Sequence, residues 1–155
     1  LRQAPRALST LGALRAVCDL AALRPLCSAW IEALRRGQKT QGAHAHRGFL
    51  GDVCEAQYRL AQRGGGPAVL DLLLGTEERS ALQDLVTSEL PGTADYLAAR
   101  PMVWWLGVVA AGAPLDDAAI AAIERARDRF RSEVFHEECA LILSGGTWPP
   151  AAPPA

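Results

Sequence analysis

Pro25-Leu26-Cys27-Ser28-Ala29-Trp30-Ile31-Glu32-Ala33-Leu34-Arg35-Arg36-Gly37 carries every signal of one helix from start to stop. Proline at the opening suits the first turn, where a backbone N–H has no intrahelical acceptor to find. Leu26, Trp30, Ala33 and Leu34 recur near the 3.6-residue period and share one face. Arg35 and Arg36 occupy the last turn, where the helix dipole favours cations, and glycine is the residue type that ends helices. No stretch of the chain sustains the period-two alternation of a half-buried strand. The expected class is therefore all-α.

Outward from this helix the same grammar repeats. Toward the N-terminus, Ser9 or Thr10 can cap a helix with Leu11, Leu14, Cys18 and Ala21 on one face, ending near Arg24. In the other direction, Gln38 to Gly51 reads as a loop with three glycines and the pair His44 and His46. Asp52 and Glu55 resemble a capping box for a helix to Arg63, halted by Gly64-Gly65-Gly66. Val69 to Leu74 reads as a short buried helix. Thr76 opens another with Ala81, Leu82, Leu85 and Val86 inward, stopped by Pro91-Gly92. Thr93 to Arg100 is a brief segment, and Pro101 leads into the tryptophan-rich run Met102 to Ala113. The last helix is expected from about Leu115 to Leu143, with Ile120, Ile123, Phe130, Val134 and Leu141 as its core stripe. The expected architecture is an irregular bundle of about six or seven helices. Residues 1–146 form a single helical domain in this reading, and 147–155 an extended Pro/Ala tail.

Composition bounds the function. Sixteen basic against 17 acidic residues leave a net charge of −1, which argues against a protein built to coat phosphate backbones, so no nucleic-acid partner is expected. The four cysteines form no C-x-x-C pair and read as buried free thiols of a reducing compartment. No run reaches the roughly 20 apolar residues of a membrane span; Met102 to Ala113 stops at Pro114 and Asp116. Only peripheral membrane contact stays open. Leu1 to Val17 holds Arg2, Arg6 and Arg15 with Ser9 and Thr10 and no acid, the composition of an organellar targeting segment. Alanine- and arginine-rich bacterial helices share it, so a mitochondrial location is expected with the bacterial cytoplasm as alternative.

The chain carries no convincing catalytic constellation. Glu133-x-x-His136 has the spacing of a di-iron ligand pair, but such sites need a second copy and two further glutamates, and the other histidines sit in the glycine-rich stretch. His44 and His46 with Cys54 fall short of a closed metal set. Cys139 lies one turn from His136 among glutamates that raise a thiol pKa, the wrong direction for a nucleophile. The triple glycine follows a helix and lacks the Lys-Ser/Thr of a phosphate loop. Arg125, Arg127, Arg129 and Arg131 alternate with Glu124, Asp128 and Glu133 as a salt-bridged face. No catalytic, metal or cofactor residue is expected.

What remains points to contact with other proteins. Adjacent tryptophans on a helix diverge by about 100°, so Trp104 and Trp105 do not both face one core stripe. Tryptophan is enriched at interface hot spots. A Pro/Ala tail buries too little to order itself, and Trp148 with Pro149-Pro150 has the form of an extended docking segment. Trp104, Trp105, Trp148, Pro149 and Pro150 are thus the candidate partner-interface residues; the competing arrangement folds Trp148 back onto its own bundle. The expected function is a non-catalytic accessory or structural subunit of a larger multiprotein assembly, with a mitochondrial energy-transducing complex as its setting and other subunits as partners. The alternative is a bacterial helical small-molecule-binding domain or small enzyme with a pocket near Trp104.

Overall fold

A computed structural model describes residues 23–40 and 43–150, without the side chains of 38–40, 43–45 and 64. The expected helix before Arg24, the targeting-like stretch, Cys18 and the last five tail residues lie outside the described residues. Among the described residues seven α-helices follow in order: α1 Arg24–Thr40, α2 Ala43–Gly64, α3 Ala68–Leu73, α4 Thr76–Glu89, α5 Tyr96–Gly112, α6 Asp117–Arg129 and α7 Glu133–Leu143. One 3₁₀ turn, Leu90–Gly92, follows α4, and no strand occurs among the described residues. The chain is all-α, as its periodicity demands.

The centre of the molecule is the pair α2 and α5. Phe49, Leu50, Val53, Cys54 and Tyr58 of α2 meet an α5 that is buried along nearly its whole length. The two backbones touch: a Cβ added to Gly51 would lie 2.9 Å from the Ala98 carbonyl oxygen. This corrects the expected loop over Gln38 to Gly51. Glycine lowers helix propensity, but here its missing side chain admits the neighbouring helix, and the packing gained outweighs a propensity cost of about 1 kcal/mol. α1 likewise runs three residues past Gly37, which is buried within it.

Glycine does end α2. Gly65 and Gly66 adopt φ of 111° and 75°, a region that residues with a Cβ rarely enter, and Gly66 N–H closes the turn on the Ala61 carbonyl at 2.9 Å. Beyond it, Arg47 of α2 reaches Glu89 at 2.8 Å and the Gly92 carbonyl at 2.6 Å, fastening α2 to the end of α4.

Two further corrections concern the C-terminal half. Thr93 to Arg100 and the tryptophan-rich run form one helix, capped by Asp95, whose carboxylate accepts from Leu97 N–H at 2.9 Å. Pro101 lies in the second turn, where the carbonyl it leaves without a helical donor belongs to the exposed Leu97. The long final helix is in fact two. Phe130 turns inward to join Tyr96 and Phe135 in an edge-to-face triad with centroids 5.3–5.9 Å apart. Ser132 then restarts the helix, its hydroxyl accepting from Phe135 N–H at 3.2 Å.

Contacts along α5 rise together with those along both neighbours. Gly51 meets Ala98 and Gln57 meets Trp105 on one side; Ser132 meets Tyr96, Glu138 meets Arg100 and Ile142 meets Gly107 on the other. α2, α5 and α7 therefore run parallel, with α5 in the middle.

Candidate interaction surface

Along α5, the side facing the groove between α2 and α7 presents Leu97, Arg100 and Trp104 at i, i+3 and i+7. Trp104 is the hub. Its indole N–H donates to Glu138 Oε2 at 2.9 Å, and the same carboxylate accepts two bonds from Arg100, at 2.8 and 3.2 Å. Tyr58 stacks on the indole at 4.8 Å between centroids, and the Arg59 and Arg100 guanidiniums lie 5.1 and 4.7 Å from it. Charge-assisted, bidentate pairing holds Arg100 firmly protonated, its pKa raised chiefly by the bond to Glu138. Burial pushes the Tyr58 phenol up.

Trp105 points the other way, into the α2 interface, and donates to Gln57 Oε1 at 2.6 Å. Trp148 packs into its own chain. It is only 6% exposed, its N–H donates to the Trp104 carbonyl at 3.0 Å, and its ring lies 5.7 Å from Tyr58. Gly107 makes the seat, since a Cβ there would come within 2.5 Å of the Trp148 indole nitrogen. Gln62 donates to the Pro150 carbonyl at 3.2 Å, tying the exposed Pro150 to α2, while Pro149 is half-buried. The structure thus brings Trp104 and Trp148 together and separates Trp105 from them. A recess of about 370 Å³ opens beside Trp148, lined by Pro67, Gly107, Ala110, Ile142 and Thr147.

The weaker sequence candidates are also placed. His136 is exposed and its Nε2 lies 2.6 Å from the Phe130 carbonyl oxygen, spanning the break between α6 and α7. His46 is buried, with neither ring nitrogen hydrogen-bonded among the described residues, and desolvation lowers its pKa. Cys27, Cys54 and Cys139 are buried thiols; burial, with Glu78 and Glu138 adding to it, pushes Cys27 and Cys139 up to about 12. No cluster of three or more metal-ligating side chains occurs among the described residues, and no described helix is long and apolar enough to cross a membrane.

The large apolar side chains left on the surface are others than the tryptophans: Leu97 at 81% exposure, Val134 at 56%, Leu72 at 45% and Leu141 at 38%. Three of these flank the Arg100–Glu138 pair. Val134, Glu138 and Leu141 sit at i, i+4 and i+7 of α7, on the side that faces α5 across the groove. In the parallel register Val134 stands level with Leu97, and Leu141 lies toward the Trp104 end. Sequence reasoning missed them because Val134 and Leu141 were assigned to the core stripe of a single long helix. The signal that relocates them is Ser132 followed by Glu133, a helix start.

No family model matches the chain, and comparison with curated proteins and with solved structures finds no match.

Proposed function

We propose that this chain is a non-catalytic accessory subunit of a multiprotein assembly and that it meets its partner through the ridge of Leu97, Val134 and Leu141. Single exposed hydrophobes are ordinary on any protein surface, but a row of them around a half-buried ion pair is the composition of an interface centre. The carrying observation is Leu97, left 81% exposed on a helix whose other apolar side chains are nearly all buried. The proposed organellar setting, an energy-transducing complex of mitochondria, draws on the composition of Leu1 to Val17, outside the described residues. Isolation of the tagged chain from its cells followed by native mass spectrometry tests the reading. A stoichiometric protein partner that is lost on Leu97→Ser supports it, and a monomer unaffected by that change refutes it.

A second reading draws on the recess beside Trp148, whose volume of about 370 Å³ is of the size of a small-molecule site. Native spectra carrying a bound small molecule in place of a protein partner would favour this alternative.

A further inference from the structure

We propose that residues 144–150 form a latch. The strap turns about Gly145 and Gly146, withdraws the Trp148 indole, and joins its seat to the adjoining recess as one site for a flat aromatic molecule that carries an N–H donor. This deepens the second reading, to which it adds a gate and a ligand class, and makes no use of the Leu97 ridge.

The seat belongs to rigid helices. Tyr58 of α2 stands 5.7 Å from the indole between centroids, and a Cβ on Gly107 of α5 would meet the indole nitrogen at 2.5 Å and Ile142 Cδ1 of α7 at 2.8 Å. The strap itself is held by much less. Gly145 leaves α7 at φ 78°, and Gly146 N–H makes the last main-chain bond, to the Leu141 carbonyl at 2.9 Å. Beyond it, neither Thr147 nor Trp148 forms a main-chain hydrogen bond among the described residues. Apart from the indole, the tie is Gln62, whose amide donates to the exposed Pro150 carbonyl at 3.2 Å. A segment fixed by one side chain and one surface bond opens locally, without the helices on which it lies.

Opening strands no polar group. Trp104 lies within α5, so its carbonyl keeps the helical donor four residues on when the indole N–H leaves. Opening also enlarges the recess, because Gly145, Gly146, Thr147 and Trp148 themselves line its volume of about 370 Å³, together with Gly107. The vacated seat keeps the shape of an indole, with the Tyr58 ring beside it and the Trp104 carbonyl placed to accept an N–H. It therefore selects a nitrogen heteroaromatic over a hydrocarbon of the same shape. While the latch is closed the ligand is kept out, and its apparent affinity falls by the fraction of open chains.

Deuterium exchange of the tryptophan side-chain N–H groups, followed by NMR on the full chain, separates the latch from the bundle. The Trp148 N–H should exchange at least about 100-fold faster than that of Trp105, which Gln57 holds inside the α2–α5 pair. Gly107→Ala fills the seat and should bring the Trp148 N–H to the rate of a free indole while Trp105 stays protected. Titration with indole then tests the site. Trp148→Ala should bind indole with a Kd below about 1 mM, and indene, the same shape without the N–H, about threefold or more weakly. The full chain should bind indole more weakly than the variant by the open fraction that exchange gives. Trp148→Val is the second variant, and circular dichroism checks both; a variant unfolded alone but refolded by indole supports the site equally. Equal exchange at Trp148 and Trp105, loss of Trp105 protection in Gly107→Ala, indene bound as tightly as indole, or two variants that indole neither binds nor refolds overturns the inference. If the full chain binds indole while the Trp148 N–H stays as protected as that of Trp105, the latch falls and the second reading stands. If indole does not bind and native spectra carry no small molecule, both fall.

Discussion

Trp148 closes the bundle with a single side chain: stacked toward Tyr58, hydrogen-bonded to the Trp104 carbonyl, and seated where Gly107 leaves room. Trp148→Ala leaves a cavity and removes the indole bond to the Trp104 carbonyl, and should lower the stability of the isolated chain by about 3–5 kcal/mol, the range for large aromatic deletions. Gly107→Ala forces the indole out by a different route and should cost about 1–3 kcal/mol. Urea unfolding of the chain without partners checks both; unchanged midpoints would return Trp148 to a docking role. pH acts on stability through His46. Desolvation lowers its pKa below the ordinary 6.5, against a smaller upward pull from Glu89. The unfolded chain therefore binds the proton more readily, so this contribution is fully present above 6.5 and is lost as pH falls from there through the folded-state value. Urea midpoints should drop between about pH 7.5 and about pH 5, and His46→Phe should flatten that slope.

At the scale of elements, the legible parts were those in which local chemistry and tertiary packing agree. The starts of α1 and α4 could be read from Pro25 and from the acids after Thr76, because each signal acts within a turn of its own residue. α2 could not, since Gly48 and Gly51 look like loop residues until Ala98 of a distant helix is seen to need the space. The break before α7 was hidden for the opposite reason: Phe130 and Val134 fit the helical period, and only Tyr96 draws Phe130 to Phe135 by bending the chain. Trp104 and Trp105 were correctly singled out as diverging, yet their N–H groups find Glu138 and Gln57 inside the chain, partners no spacing rule reveals. Ser132 holds the break in place, capping α7 while its hydroxyl pairs with the Tyr96 hydroxyl at 3.2 Å. Ser132→Ala should cost about 1 kcal/mol for the cap. In thermal unfolding that corresponds to a fall of about 2–4 °C for a chain of this size, and no change would deny the cap its role.

For the molecule as a whole, three thiols report whether the bundle opens. Cys27, Cys54 and Cys139 are fully buried, and their pKa values are raised, to about 12 for Cys27 and Cys139. Neither thiolate character nor access is available in the folded state. A thiol-specific chromogenic reagent should leave these three unmodified in native buffer and react with them as denaturant passes the unfolding midpoint. Early reaction at Cys139 alone would mean that α7 opens separately. The backbone contact between Gly51 and Ala98 sets a different clock. Where two helices touch through their main chains, no side chain can swing aside to let solvent in, so amide hydrogens around that crossing can exchange with deuterium only when the two helices part. Those of residues 51–58 and 98–108 should thus define the slowest-exchanging unit, at the free energy of global unfolding, while the six-residue α3, with Leu72 half out in solvent, exchanges through local opening long before.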